Sequence, residues 1–377
     1  MTHRLSTRGD ASVRRIAVLR ALYLGDLLCA GPAFRALRRR FPAAEITLIG
    51  LPWAADLVRR LSVIDRLLPF PGYPGIVEAE YCPERTSAFF AEARAYRYDL
   101  AIQMHGDGSA SNGFVAELGA RGALGYRRGA DRRLALSLPY RKGEHEIMRW
   151  LQLIAALDGH KVRAARRPDT VALEFPIGPD DTARAAELLF VSPAFPLVAL
   201  HPGAKAKARR WPAERFAALA DALIERLGAD IVLTGSAGER QLTAAVRRAM
   251  HHPALDLAGE TDLGAFAAVI ARSDLLISND TGAAHLAVAV GTPSVVLFGP
   301  GRPSEWGPLD RQRHLVIDAW ALAGYAEDPA EALRRLPVEP VLAACLDAVE
   351  RIGKQHTAEE QHATPQHIDV AYPRQLP

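Results

Sequence analysis

Apolar residues in this chain gather in short runs separated by longer stretches of helical spacing. Residues 15–20 (R-I-A-V-L-R) and 45–50 (E-I-T-L-I-G) read as strands, and residues 27–40 between them read as a helix that Pro42 ends. Further apolar runs at 99–104, 196–201, 231–233, 275–277 and 294–298 predict strands, with a shorter one at 124–126. Helical spacing marks 52–58, 87–96, the run E-I-M-R-W-L-Q-L-I-A-A-L-D that begins at Glu146, 180–189, the stretch up to Gly228, the stretch up to Arg272, and 338–352. Strand and helix therefore alternate along nearly the whole chain, which predicts an α/β fold with doubly wound parallel sheet.

Pro176, Gly178 and Pro179 interrupt this alternation, and a domain boundary is expected there. The expected organisation is a flexible N-terminus over 1–13, one domain over 14–176 and a second over 177–352. Residues 353–377, polar and rich in His and Gln, read as a disordered tail.

A length of 377 residues favours two domains over one core. With 49% hydrophobic and 24% charged residues the composition is that of a soluble globular protein, and no run reaches the roughly 18 apolar residues that a membrane span requires. The first thirteen residues hold no apolar signal-peptide core, so a cytoplasmic location is expected. Cys29, Cys82 and Cys345 are scattered, which suggests neither a disulfide framework nor a zinc site.

The net charge of +3 is small but unevenly spread. Arg127, Arg128, Arg132, Arg133, Arg141 and Lys142 crowd one region, with Arg163, Arg166 and Arg167 following. Such a cluster suits anionic lipid or a phosphorylated acceptor, and equally a solvated surface. Without a recognition helix or interleaved aromatics it gives no case for nucleic-acid binding.

Candidate chemistry sits where strands run into helices. Asp280, Thr281 and Gly282 lie at the end of the 275–277 strand, where backbone N–H groups and the positive end of a helix dipole favour an anion. His285 follows Thr281 by four residues and shares its helix face. Asp280 has the wrong sign for a phosphate and reads as a cap, a partner for a cation or an acceptor for sugar hydroxyls. The plainer alternative is a capped buried helix with a core histidine.

Asp26 stands after the first strand, either as the N-cap of the helix or as a carboxylate able to take a proton from a nucleophilic hydroxyl. The loop H-P-G-A-K-A-K-A-R-R-W-P carries Lys205, Lys207, Arg209 and Arg210 beside small residues that include Gly203 and Ala204, which suits an anion site or, alternatively, a merely solvated basic loop. Thr234, Gly235 and Gly238 in T-G-S-A-G-E-R make a close-approach turn, Glu239 could accept hydrogen bonds from a ribose or base or be only first-turn helix charge, and Thr261 lies in L-A-G-E-T-D-L. His105, in the loop after the 99–104 strand, is a further polar candidate. His145 and Glu146 read as helix caps. No G-x-G-x-x-G follows the first strand and no phosphate loop of the G-x-x-x-x-G-K-[ST] type occurs, so a dinucleotide cofactor is not expected.

Four stretches in order, L-R-A-L-Y-L-G-D-L-L, H-P-G-A…R-R-W-P, L-T-G-S-A-G-E and S-N-D-T-G-A-A-H-L-A-V-A-V-G-T-P, resemble glycosyltransferase family 9, the ADP-heptose:lipopolysaccharide heptosyltransferases, from about Arg14 to Ile352. The resemblance implies a GT-B fold, two Rossmann-like domains facing a cleft, with the nucleotide sugar on the C-terminal domain and the acceptor on the N-terminal one. It also implies inversion at the anomeric carbon, no metal and no other cofactor.

Carried over by position, Asp26 matches the catalytic base. Thr281, Gly282 and His285 match the diphosphate turn, Asp280 its neighbouring acid, and Glu239 a residue near the nucleoside. Gly203, Ala204, Lys205, Gly235 and Thr261 complete the expected nucleotide-sugar set, and His105, Arg127 and Arg128 are the expected acceptor contacts. Arg209 stands where many members have lysine. The expected partners are an ADP-heptose donor and a lipid-linked saccharide acceptor, with peripheral contact at the inner membrane face. A UDP- or GDP-sugar enzyme, an epimerase and an idle nucleotide-binding subunit are the alternatives. Asp26, at an ordinary pKa of ~4, would be a weak base acting late in the displacement.

Overall fold

The computed structural model describes residues 12–158, 168–189, 196–325 and 328–362, with side chains described as far as residue 351. Two six-stranded sheets form the frame, and every strand pair in both is parallel. The first contains β1 (Arg15–Leu19), β2 (Glu45–Gly50), β3 (Arg66–Pro69), β4 (Leu100–Gln103), β5 (Gly122–Arg127) and β6 (Leu136–Pro139), in the order β3-β2-β1-β4-β5-β6. The second contains β7 (Leu197–His201), β8 (Asp230–Leu233), β9 (Leu255–Asp256), β10 (Leu275–Asn279), β11 (Ser294–Phe298) and β12 (His314–Asp318), in the order β12-β11-β10-β7-β8-β9.

Renumbered within its own half, the second order is the first read backwards, so both halves share one doubly wound topology. In each, the chain reverses direction across the sheet between its first and fourth strands, and ligands of open α/β sheets gather beyond the carboxyl ends of those strands. Those ends are β1 and β4 in one half and β7 and β10 in the other.

The central strands are buried along their length, as apolar runs without alternation require. One apolar cluster passes through both halves, joining Ile16, Val18 and Leu28 to Leu276 and Leu286. Arg60, in the helix Ala55–Arg60, also bridges the halves. It donates to both carboxylate oxygens of Asp181 in the helix Pro179–Leu188, Nη2 to Oδ1 at 3.0 Å.

The Asp181 carboxylate also takes the Gly178 N–H at 2.7 Å. The Arg60 hydrogen bond, with that backbone bond, holds the Asp181 pKa below the ordinary 3.8. Asp181→Asn is therefore expected to lose about 1.5–3 kcal/mol of stability at neutral pH in urea unfolding. Because the folded pKa is depressed, this contribution is complete above about pH 4 and fades as pH falls through the folded value. Equal stability of variant and parent at pH 7 would show that the bridge contributes nothing.

Four edge strands, β3, β6, β9 and β12, were not expected. They are short and mostly half-exposed; β3, β6 and β9 carry only one or two adjacent apolar residues, whereas Leu315, Val316 and Ile317 of β12 form a run as long as those at 231–233 and 275–277. The first helix spans Leu24–Arg40, one turn earlier than expected at 27, and it accommodates Pro32. The last helix runs from Val338 to His362, into the stretch expected to lack order. Residues 1–11 of the expected flexible N-terminus, 363–377 of the expected tail, and Arg163, Arg166 and Arg167 lie outside the described residues. No described helix is long and apolar enough to cross a membrane.

Candidate active site

Between the carboxyl ends of the two sheets lies a cleft of about 970 Å³ lined from both halves. Asp26 lines it from the first half. Lys205, Arg209, Asp280, Thr281, Gly282 and His285 line it from the second, together with Ala204, Gly235, Glu239 and Thr261. These residues come from the loops and helix starts that follow β1, β7, β8 and β10 and from the segment before the Leu263–Arg272 helix, so the shared topology is what gathers them. Gly203 stands behind this lining, with the Glu239 carboxylate where its Cβ would be.

The two halves meet closely here. A Cβ on Gly25 would stand 2.5 Å from His285 Cδ2 and 3.5 Å from Gly282 Cα, so only glycine lets the first helix approach the Gly282–Val290 helix this far. Asp26 is thereby brought to face the Thr281 corner.

Asp26 is not an N-cap. Tyr23 holds that place, and Asp26 is the third helical residue, its Oδ2 accepting the Tyr23 N–H at 3.4 Å in the manner of a capping box. The side chain keeps 21% exposure, towards the cleft. Burial raises its pKa above 3.8 against the pull of Arg20, so it is a stronger base than an ordinary aspartate, contrary to expectation.

Arg20 is fully buried at the end of β1. It donates to the Asp26 carbonyl at 2.8 Å, the Met104 carbonyl at 2.6 Å and Glu146 Oε1 at 3.2 Å, and its Nη2 lies 3.8 Å from Asp26 Oδ1. Glu146 also accepts from Trp150 Nε1 at 2.8 Å and Arg149 Nε at 3.1 Å. The expected cap of the Glu146–Ala155 helix is His145, whose Nδ1 accepts the Ile147 N–H, while Glu146 turns inward to this network.

Thr281 is the N-cap position of the Gly282–Val290 helix, yet its side chain makes no capping bond, and Oγ1 is buried without a partner. Of the roles open to Asp280 the geometry gives the cation partner: Oδ2 accepts from Arg209 Nη1 at 3.3 Å. Burial, with Asp26 adding to it and Arg209 opposing, pushes the Asp280 pKa up to about 6. Burial brings His285 down to about 4, helped by nearby His145, so its imidazole is neutral at pH 7. At the cleft mouth Lys205 Nζ lies 3.7 Å from the centroid of the Tyr23 ring. Glu239 Oε2 accepts from the Ser236 N–H and hydroxyl, both at 2.8 Å.

The three residues expected to meet the acceptor do not line the cleft. His105, after β4, pairs with Glu78 at 3.5 Å, and Arg128 with Asp107 at 3.5 Å. Arg127 turns back on the Gly129 carbonyl. Among the described residues no group of three or more His, Cys, Asp or Glu side chains is placed to hold a metal, and all three cysteines are free.

Sequence reading missed Arg20, Tyr23, Trp53, His201, Phe266 and Trp306. An arginine closing an otherwise apolar strand was a usable signal for the first, since a buried charge needs partners. Tyr23 and His201 fall inside the stretches L-R-A-L-Y-L-G-D-L-L and H-P-G-A and were within reach, whereas Trp53, Phe266 and Trp306 carry no local mark, because only the pairing of the halves turns them towards the cleft.

Comparison with known proteins matches residues 87–325 to the family model described as glycosyltransferase family 9 (heptosyltransferase). Lipooligosaccharide heptosyltransferase 2 of Haemophilus ducreyi is 27% identical over 318 residues, 80% of this chain and 88% of that protein. Lipopolysaccharide heptosyltransferase 2 of Salmonella typhimurium is 28% identical over 314 residues, 80% of this chain and 87% of that protein. Among solved structures, a family 9 glycosyltransferase from Veillonella parvula superimposes with a TM-score of 0.74 at 22% identity, covering 92% of this chain and 100% of that one. ADP-heptose heptosyltransferase II of E. coli gives 0.69 at 23% identity, covering 91% and 99%. These neighbours share the GT-B architecture seen here. With more than half of its length matched to the family model, the chain belongs to glycosyltransferase family 9, the heptosyltransferases, and is a glycosyltransferase.

Proposed function

We propose that the enzyme moves a heptose from ADP-heptose to a saccharide acceptor of the lipopolysaccharide-core type, by one displacement that inverts the anomeric carbon. The observation that carries this reading is the placement of Asp26 opposite the Thr281–Gly282–His285 corner across one cleft. The names of the relatives, which are lipopolysaccharide and lipooligosaccharide heptosyltransferases, support the sugar and the acceptor class.

In this mechanism Asp26 accepts the proton of the attacking hydroxyl, and its raised pKa suits that role. The departing diphosphate gains negative charge beside the helix N-terminus, the unpartnered Thr281 hydroxyl, Lys205 and Arg209. Arg209 is tied to Asp280, and a diphosphate would compete for it. The nucleoside lies towards Gly235, Glu239 and Thr261, and the acceptor enters on the Asp26 side. A lipid-linked acceptor would bring the protein to a membrane surface peripherally, where the exposed Arg128, Arg132, Arg141 and Lys142 could meet anionic headgroups. On this reading the domain boundary lies near residue 176, and the two domains divide donor and acceptor between them.

Mass spectrometry of products formed from ADP-, GDP- and UDP-sugars with a lipopolysaccharide-core acceptor tests the reading. Transfer of heptose from the ADP donor alone is expected. Transfer from a UDP or GDP sugar instead would overturn the donor assignment.

A further inference from the structure

Cys29, one turn along the first helix from Asp26, is buried and places Sγ 3.5 Å from Nδ1 of His285, a residue 256 positions away in the other half. The imidazole is held on two further sides. Gly25 lies against Cδ2, and Trp306 packs edge-on with ring centroids 6.3 Å apart. Nε2 has no hydrogen-bond partner among the described residues and is not one of the buried orphan atoms, so it opens on the cleft that His285 lines.

A neutral imidazole carries one proton, and the hydrogen bond at one nitrogen decides which nitrogen keeps it. A thiol is a weak donor, but its sulfur is a still poorer partner for an N–H than an imidazole lone pair is for an S–H. Burial keeps Cys29 protonated by pushing its pKa well up, so the S–H is always present to donate. Had Nδ1 carried the proton, a lone pair on Nε2 would face the region where Thr281, Lys205 and Arg209 point to an anion.

We propose that Cys29 is a positioning residue of the donor site: its thiol donates to His285 Nδ1, which fixes the imidazole proton on Nε2, where it donates to the diphosphate of the sugar nucleotide. This rests on the donor reading given above and adds to it which tautomer the site uses and what holds it there. It also ties the two halves chemically, since the group that sets the donor contact belongs to the helix that carries Asp26.

The test uses the full chain labelled with 15N-histidine, the His285 signals being identified by their loss in His285→Gln. Without ligand, the parent protein is expected to show a protonated Nε2 and an unprotonated Nδ1. Cys29→Ala is expected to draw the two nitrogen shifts together as the tautomers mix, and to weaken ADP binding by ~3–10-fold, the loss of about one hydrogen bond. Its KM for the donor should rise more than kcat falls. Cys29→Ser, which keeps a donor at this place, should restore both the tautomer and the affinity.

A proton on Nδ1 in the parent protein, or a Cys29→Ala variant with unchanged tautomer and unchanged ADP affinity, would overturn the role of Cys29. Failure of the parent protein to bind ADP at all would overturn the donor reading instead, and the ligand-free spectra keep the two outcomes apart.

Discussion

Asp26→Asn is expected to lower kcat by about 10²–10⁴-fold, the range a positioned general base supplies, with ADP affinity within a few-fold of the parent. Asparagine keeps the shape and can still accept the Tyr23 N–H through its amide oxygen, so the first turn of the helix should survive. What disappears is the proton acceptor. Isothermal titration with ADP and steady-state turnover separate the two effects, because loss of a donor contact would weaken binding while loss of the base would not.

The same residue sets a pH dependence. Asp26 must be ionised to accept a proton, and its pKa is raised chiefly by burial, so kcat in the parent should fall with acid through a value above the 3.8 of a free aspartate. Turnover close to normal in Asp26→Asn would leave the carboxylate as part of a capping box and nothing more.

Arg20→Ala should have the largest effect on stability. The guanidinium is fully buried, lies 4.7 Å from the centroid of Trp150 and donates to Glu146 and to two backbone carbonyls. Its removal leaves a buried carboxylate short of a counter-charge and two carbonyls without their donor, a change that costs about 3–5 kcal/mol. Urea unfolding would register this as a lower midpoint.

Arg20→Lys restores the charge but cannot reach three acceptors in one plane, so an intermediate loss is expected. If the lysine variant is folded, its kcat–pH profile carries a second readout. Arg20 lowers the Asp26 pKa, and a weaker cation should move the acid limb upward. An alanine variant within about 1 kcal/mol of the parent would mean that the network adds no net stability, as some buried ion pairs do not.

Much of the molecule could be read from local pattern. The central strands β1, β2, β7, β8, β10 and β11 fall within a residue or two of the expected runs, because strands buried on both faces are written as uninterrupted apolar residues. The corner at Thr281 was legible as a strand-to-helix junction, because small and polar residues between two apolar stretches mark a helix start. The edge strands β3, β6 and β9 were not legible, since half-exposed positions tolerate polar residues, whereas the apolar Leu315, Val316 and Ile317 of β12 were a readable run that the expectation lacked. Asp26 was legible as a residue of interest but not in its local role, because helix ends are set by backbone geometry that a few residues of pattern do not resolve.

By itself, then, the sequence determined the order and type of most elements, the two doubly wound halves and the family resemblance, all of which depend on neighbours within a few residues. The tertiary structure decided how those parts act on one another. It buried Asp26 and Asp280 enough to raise both acids, joined Arg20 to Glu146 across 126 positions, and set Cys29 against His285 across 256. Burial and pairing at such separations follow from sheet order and from the close approach that Gly25 permits, and no local spacing encodes them.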